Sequence, residues 1–489
     1  MKKNSVKNKI VAVALSAAML LGACGSAGSS SAKNGSASSE SSSSAKQESS
    51  SSSVNESSSS SSNGSSSAEK FNSEGMLYAA ENSFTDFYSS IDRARQTLDK
   101  EKQQKLLKFA TATTTKYFAK SEEGKNFLYS PASLYLALCL VEDMTDEKVT
   151  ADLLSLMGAE NLSDMEKMAD TIIRGISSET DNDKKPAICR ISNSIWSDDR
   201  LILDDEAKKV LENVSQKLYA DLYNADLQSD ETIKAMNSWV NAKTEGLIKE
   251  IPFEPSEQTV MLLFNALYFK KSWESEIDKT KTVKEDFTLS SGEKTKVDMM
   301  KVSPVEEYRN KYYRTENTLT APLYYSDGSY CIFVRPEKVC DKTAMNAIIE
   351  NELPDIIDAY ANYRVKSTGS LNFSIPKLEY GTKIDYMHEE LKELGVNSLF
   401  TIDGDPFSPI DGRSGQGLYV SMIAQSCKII MNEEGTEAAA VTEIAVEDGA
   451  PMYEEWSIEL NLDQPYAYVI MSSNNIPLFV GVVENPAAE

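Results

Sequence analysis

Apolar residues recur every three or four positions between residues 98 and 176, with polar residues between them. This spacing is typical of helices that bury one face. Ser130 and Pro131 offer a capping hydroxyl and a preset first-turn dihedral directly before the second apolar segment. The pattern therefore predicts helices over 98–118, 132–141, 146–157 and 165–176.

Beyond residue 258 the apolar residues gather into short runs rich in β-branched and aromatic side chains, which favour strands. The predicted strands cover 259–269, 330–334, 371–375, 418–431, 457–462 and 466–471. No fixed-length repeat and no low-complexity break interrupts residues 69–489. The predicted helices come first in this range, and the predicted strands follow, mostly far apart in the sequence. This order predicts one large α+β domain.

The first residues have the composition of an export leader. Four lysines, at positions 2, 3, 7 and 9, precede an apolar run over 10–21 that is short for a membrane-spanning helix of about 20 residues. Leu21-Gly22-Ala23-Cys24 resembles a bacterial lipobox. It implies removal of a signal peptide, 1–23, and attachment of lipid to Cys24. An ordinary secretory leader with an incidental cysteine is the alternative.

Residues 26–68 are mostly serine and contain almost nothing to bury. Such a segment cannot offset its ordering entropy, so 24–68 is predicted to be a lipidated cysteine followed by a disordered tether. The expected location is the outer side of a bacterial cell membrane, where the lipid anchors the chain. Shedding of the domain from that anchor is the alternative. The leader is excluded from the predicted domain.

Charge and histidine content narrow the possible chemistry. A net charge of -25 disfavours nucleic-acid binding through phosphate neutralisation. His388 is the only histidine, which excludes two-histidine zinc motifs and disfavours a Ser-His-Asp hydrolase. We expect no metal, no cofactor and no enzymatic activity, with His388 on a helix surface. Cys331 lies in an apolar run and is interpreted as a buried thiol rather than a partner of Cys340.

The segment from 436 to 447 alternates in a way that suits a strand with one buried face. Its even positions are small or apolar, and every charge falls on an odd position. Three consecutive alanines are nevertheless poor strand formers. The pattern indicates a segment that can change its conformation and become a strand. The even positions are Thr436, Ala438, Ala440, Thr442, Ile444 and Val446.

This segment resembles the hinge and reactive loop of the serpins, and the similarity extends over 106–486. The motifs that carry it are NFLYSPAS (126–133), NSWV (237–240), NALYFK (265–270) and FVG (479–481). The resemblance implies the serpin fold, with three β-sheets, about eight to nine helices and an exposed reactive loop. It also implies a monomer that inhibits serine proteases, and sometimes cysteine proteases, irreversibly as a suicide substrate.

In that mechanism the protease attacks the loop, and the cleaved loop inserts as a new central strand and traps the acyl-enzyme. No charge and no proline lies on the even positions of 436–446, so we expect an inhibitor rather than a non-inhibitory carrier. A two-lobed solute-binding lipoprotein is the alternative class. The implied hinge consists of Glu433, Gly435, Thr436, Glu437, Ala438, Ala439, Ala440 and Thr442.

The resemblance also assigns residues that control opening of the sheet. Lys377 is the expected partner of Glu433. Gln425 stands where the family commonly has histidine, so no histidine-dependent switching is expected there. Lys271 and Asp298 also depart from the family pattern and are interpreted as surface variation. The control residues are Ser130, Ser133, Asn265, Gln425, Trp273 and Lys377.

Counting from the hinge glutamate places the attacked bond at Gly449-Ala450, with Val446, Asp448 and Met452 as rival positions. The small apolar candidates favour an elastase-like target. Asp448 would instead suit a protease that cleaves after Asp or Glu. Residues 437–457 contain no lysine or arginine, which disfavours a trypsin-like target.

Overall fold

In the computed structural model of the chain, the described residues are 9–19, 76–79, 98–180, 187–201, 203–251, 255–303, 309–401, 405–410, 418–436 and 457–488. All of them belong to one compact unit, formed by residues 1–22 and 71–489.

The four predicted helices are present, each within about three residues of its predicted bounds. Ser130 caps the second of them as predicted, and Asp99 and Asp146 cap the first and third; each side chain accepts a hydrogen bond from a backbone amide of the first turn. The described residues contain nine helices: α1 (Lys100–Lys120), α2 (Pro131–Glu142), α3 (Glu147–Met157), α4 (Leu162–Ile176), α5 (Asp205–Lys217), α6 (Asp230–Lys243), α7 (Lys342–Asn351), α8 (Leu353–Ala361) and α9 (His388–Glu393).

The six predicted strands are also present, and fourteen others join them in the described part of the chain. The strands are β1 (Lys9–Met19), β2 (Met76–Tyr78), β3 (Phe127–Tyr129), β4 (Ser178–Thr180), β5 (Ala187–Asp198), β6 (Ala220–Ala225), β7 (Thr259–Ser272), β8 (Val283–Thr288), β9 (Lys294–Val302), β10 (Lys311–Arg314), β11 (Thr318–Tyr324), β12 (Tyr330–Pro336), β13 (Lys366–Ser367), β14 (Ser370–Pro376), β15 (Leu378–Ile384), β16 (Leu418–Asn432), β17 (Gly435–Thr436), β18 (Ser457–Asn461), β19 (Tyr466–Met471) and β20 (Pro477–Val483). Helices and strands are thus more interleaved than the sequence pattern predicted.

The strands form three sheets of nine, seven and four strands within the described residues, which confirms the predicted α+β architecture. The main sheet contains β15, β16, β7, β5 and β6 in that lateral order, with β2 at the β6 edge and β4 beside β5. The second sheet runs β13-β10-β11-β12-β19-β20-β3, and the third runs β18-β14-β9-β8. Both β1 and β17 pair with β16 on one side and with β7 on the other.

The core lies between the main and second sheets. All twelve residues of α2 are buried there, and the helix packs against β7 and β20. Gly481 on β20 is required by close packing, since a Cβ at this position would lie 2.1 Å from the ring of Tyr468. This contact explains why the FVG motif needs its glycine.

One element differs from the sequence expectation. The predicted leader was excluded from the domain, yet its apolar run forms β1 in the main sheet of the full-length chain. Cleavage before Cys24 stays a prediction, and Cys24 itself lies outside the described residues.

Candidate functional site

The hinge begins a new strand in the main sheet. After β16 ends at Asn432 the chain reverses, and β17 runs back antiparallel to β16 and β7. Thr436 lies level with Met431 on one side and with Lys271 on the other. The chain therefore enters the gap between these two strands at the position where loop insertion is expected to start.

Position 435 requires glycine because its backbone lies very close to the backbone of Lys271. Gly435 has a φ of +153°, and a Cβ there would lie 2.2 Å from the carbonyl oxygen of Lys271. Only glycine tolerates both conditions. The next residue, Thr436, is 0% exposed, and its hydroxyl lies 2.7 Å from the Tyr325 hydroxyl in a hydrogen bond.

Trp273 holds the turn between β16 and β17. Its indole Nε1 donates to the carbonyl of Asn432 at 2.8 Å, and its backbone amide donates to the carbonyl of Glu434 at 3.1 Å. Its ring stacks on Tyr325, with centroids 4.5 Å apart and an interplanar angle of 11°. The predicted control residue is thus connected through Tyr325 to Thr436. Tyr325 carries no sequence motif of its own, so its part in this site was not predictable from the sequence.

The hinge glutamate is anchored by two side chains. Lys377 Nζ lies 2.8 Å from Glu433 Oε1, and the Thr282 hydroxyl donates to the same oxygen at 2.6 Å. Burial raises the pKa of Glu433, but the bonds from Lys377 and Thr282 outweigh burial, so the pKa lies below its ordinary value of 4.5. The structure thus places the predicted partner beside Glu433, and it adds Thr282.

This anchoring predicts a pH dependence of stability. Because the pKa of Glu433 is lower in the folded protein than in the unfolded chain, its contribution is present above pH 4.5 and is lost as pH falls through the lowered pKa. Between pH 5 and pH 3, the free energy of unfolding measured in urea is expected to fall more for the parent protein than for a Glu433→Gln variant. Parallel pH profiles for the two proteins would contradict the assignment.

The polar cluster under the sheet is only partly assembled. Gln425 Oε1 accepts from the Ser130 amide at 2.8 Å, and Gln425 Nε2 donates to the Ser130 carbonyl at 3.0 Å. The Ser130 hydroxyl donates to Ser133 Oγ at 3.1 Å. Both serines and Gln425 are buried, and no titratable group replaces the family's histidine at 425.

Asn265 is not brought to this cluster. Its Nδ2 donates to Asn193 Oδ1 on β5 at 2.7 Å, while its own Oδ1 is buried without a hydrogen-bond partner in the described residues. The cause is β1, which separates β7 from β16: Leu15 lies level with Asn265 on one side and with Gln425 on the other. The prediction that Asn265 joins Ser130, Ser133 and Gln425 is therefore wrong for this arrangement.

Lys271 is buried, which corrects its interpretation as surface variation. Its side chain is 2% exposed, and Nζ lies 2.6 Å from Asp327 Oδ2. Burial raises the pKa of Asp327, but Lys271 outweighs it, and the pKa lies below its usual value. Asp298 does lie on the surface, 2.9 Å from Lys284. The ion pair between Lys271 and Asp327 thus lies beside the hinge, with the lysine side chain buried.

A Lys271→Met variant is expected to lose about 3 kcal/mol of unfolding free energy, because Asp327 would remain buried without its cation. Urea denaturation measures the loss. The matched control is the double variant Lys271→Met with Asp327→Asn, which removes both charges and is expected to recover most of the stability. An unchanged urea midpoint in the single variant would show that the pair contributes nothing.

Several predicted residues lie outside the described part of the chain. These are the hinge residues Glu437, Ala438, Ala439, Ala440 and Thr442, and the bond candidates Val446, Asp448, Gly449, Ala450 and Met452.

The remaining residues that the sequence singled out are two cysteines and the histidine. Cys331 is a buried free thiol, as predicted, and Cys340 is a half-buried free thiol. His388 begins α9 and is half-buried rather than on the surface. Across the described ranges, no group of three or more His, Cys, Asp or Glu residues is arranged to hold a metal ion. In the same ranges, every helix is too short or too polar to cross a bilayer.

Comparison with known proteins identifies the family. The family described as Serpin (serine protease inhibitor) matches residues 104–486. Serpin-ZXA of Oryza sativa subsp. japonica is 27% identical over 392 residues, which is 78% of this chain and 95% of that protein. A serine protease inhibitor of Cyanea capillata is 27% identical over 374 residues, covering 74% and 93%. The chain belongs to the serpin family, whose members mostly inhibit proteases rather than act as enzymes.

Solved structures show the same fold. The native state of tengpin, a thermophilic serpin, has a TM-score of 0.68 and 26% identity, covering 79% of this chain and 95% of that one. Human thyroxine-binding globulin complexed with thyroxine has a TM-score of 0.64 and 20% identity, with coverage of 79% and 100%. The fold excludes the two-lobed solute-binding alternative. Some serpins, such as thyroxine-binding globulin, are non-inhibitory.

Proposed function

We propose that the chain from Cys24 onward is an irreversible suicide-substrate inhibitor of serine proteases. The observation that carries this proposal is the antiparallel pairing of Gly435–Thr436 with both β16 and β7. The hinge has already turned into the gap, and Thr436 is buried there. Continued insertion needs only more residues of the same small, uncharged type, and the even positions up to Val446 supply them.

The proposed reaction uses the protease's own catalytic groups. Its serine Oγ attacks the loop carbonyl, an ester forms, and the peptide bond breaks to release a new amino terminus. The freed loop then inserts between β7 and β16 and carries the attached protease with it. Insertion supplies backbone hydrogen bonds and apolar burial, so the intact form is metastable and protected by a kinetic barrier. The chain contributes a substrate bond and a sheet, with no catalytic residue.

We place the attacked bond at Gly449-Ala450, with Val446, Asp448 and Met452 as rivals. Small and apolar residues around the bond suit an elastase-like serine protease with a shallow pocket. Asp448 supports the alternative of a protease that cleaves after Asp or Glu, and a cysteine protease is the other alternative. The absence of Lys and Arg from 437–457 argues against trypsin-like targets.

Incubation with pancreatic elastase tests this proposal. An inhibitor gives an adduct that survives denaturing gel electrophoresis, together with a small carboxy-terminal fragment whose mass identifies the cleaved bond. Trypsin is the matched control and is expected to give no adduct at this loop. An adduct only with a Glu-specific protease or with papain would reassign the target. Loop cleavage without an adduct by elastase, the Glu-specific protease and papain would overturn inhibition.

We also propose that the mature chain is a lipoprotein, anchored to the membrane by acyl chains such as palmitate on Cys24. The support is the sequence Leu21-Gly22-Ala23-Cys24 after a basic and apolar leader. Radiolabelled palmitate is expected to label the parent protein and not a Cys24→Ser variant. Equal labelling of both would refute lipidation at this residue.

A further inference from the structure

The apolar leader strand fills the gap that an inserting loop needs. Strand β1 pairs with β16 from Lys9 opposite Leu418 to Ala18 opposite Lys428, and with β7 from Ile10 opposite Thr259 to Met19 opposite Phe269. The hinge strand β17 takes only the last rows of the same gap, level with Asn432–Met431 and Ser272–Lys271. The two segments therefore lie end to end between the same neighbours.

An inserted loop and β1 need the same positions. Continuing the antiparallel register of Thr436 residue by residue brings Thr442 level with Gln425 and Asn265, the row that Leu15 now occupies. A gap bounded by two strands holds one strand, because each neighbour offers a single row of hydrogen-bonding groups to it. Insertion beyond the hinge therefore requires β1 to leave.

The sequence of β1 suits a buried central strand. From residue 10 to residue 19 it contains no charge and no proline. Its register places Val13, Leu15 and Ala17 beside Ile423, Gln425 and Cys427, all of them buried residues of β16. Helix α2 packs against the same strand. The segment thus meets the conditions that loop insertion sets for the even positions of 436–446.

The polar cluster shows what departure of β1 would permit. Asn265 Oδ1 is buried and unpartnered in the described residues, and the amide of Gln425 lies on the far side of Leu15. Without β1, β7 and β16 can pair directly. Asn265 Oδ1 could then accept the second amide hydrogen of Gln425, whose first is donated to Ser130.

From these contacts we infer that the unprocessed chain is autoinhibited by its own leader. Strand β1 occupies the insertion gap in the parallel direction, and removal of 1–23 opens the gap to the reactive loop. The gap is thus a binding site for an apolar, uncharged peptide of about ten residues that runs parallel to β7 and β16. This inference rests on the proposed inhibitory function, and its first test does not use a protease.

The first test is cross-linking in full-length protein that carries Cys24→Ser and Cys340→Ser, which also prevents processing at Cys24. Ala12→Cys with Met422→Cys, and Ala18→Cys with Lys428→Cys, join positions that lie level in the parallel register. A short bis-thiol reagent is expected to link both pairs. The matched controls exchange partners, Ala12→Cys with Lys428→Cys and Ala18→Cys with Met422→Cys, and separate the thiols by about 20 Å.

Cross-linking of the exchanged pairs would show an antiparallel strand and overturn the inferred orientation. Cross-linking of no pair would show that the leader does not occupy the gap. Either result is independent of whether the chain inhibits any protease.

The second test compares full-length Cys24→Ser proteins against elastase. The parent is expected to be cut in its loop without forming an adduct. Adding Leu15→Arg places a charge at the row of Asn265 and Gln425, expels β1 and is expected to restore the adduct. Ser5→Arg adds the same charge outside β1 and is expected to leave the parent behaviour unchanged.

The chain beginning at residue 24, which contains the whole 104–486 family match, is measured in parallel. If it and the full-length parent form adducts equally, autoinhibition is overturned while inhibition stands. If neither it nor Leu15→Arg forms an adduct, the proposed function fails, and cross-linking alone decides whether the leader fills the gap.

Discussion

A Thr436→Arg substitution in the chain from Cys24 onward is expected to turn the inhibitor into a substrate. Thr436 is fully buried between β7 and β16, and its hydroxyl bonds Tyr325. An arginine there would be a buried, unpaired charge, so the hinge of the variant is expected to stay out of the gap and to oppose re-entry when the cleaved loop inserts. An added barrier of about 3 kcal/mol slows insertion by roughly 100-fold, which allows water to release the protease first.

The measurements for this variant are the yield of stable adduct and the number of inhibitor molecules consumed per protease. Thr436→Ser is the matched control, since it keeps the hydroxyl that faces Tyr325, and it is expected to trap nearly as well as the parent. A full yield of adduct from the arginine variant would rule out insertion through this position.

Cleavage of the loop is expected to raise the thermal unfolding midpoint of the chain from Cys24 onward by about 10 °C or more. Insertion would bury the even positions of 438–446, which contributes about 5 kcal/mol of apolar burial. For a large domain each kcal/mol shifts the midpoint by about 2 °C. The new strand's backbone hydrogen bonds add to this shift.

Calorimetry before and after nicking by a protease that does not form an adduct measures this jump. Nicked Thr436→Arg protein is the control and is expected to gain much less. The full-length chain that retains β1 is also expected to gain little, because its gap is already filled. An unchanged midpoint in the nicked parent would contradict storage of energy in the intact form.

Local sequence patterns were sufficient for much of the fold. The helix bounds over 98–176 follow from apolar spacing and, for α2, from the capping Ser130, because both signals act within one or two turns. The hinge strand begins at Gly435–Thr436, close to where the alternating pattern starts. The order of the motifs identified the family, which the match over 104–486 confirms.

Tertiary structure decided which residues meet at the site. Lys271 looked like a surface residue, but its strand passes beside the hinge and buries it against Asp327, 56 positions away. Asn265 meets Asn193 rather than Gln425, because strand order sets its neighbours. Tyr325 and Thr282 joined the site without any sequence signal.

The sequence by itself determined the four helices over 98–176, six of the strands and the family, because periodicity and motifs depend on residues close together in the chain. Only the tertiary structure decided that the leader forms a strand between β7 and β16. The apolar stretch over 10–19 is equally suited to a signal peptide and to a central strand. What distinguishes the two is an open gap of matching length, formed by strands more than two hundred residues further along the chain.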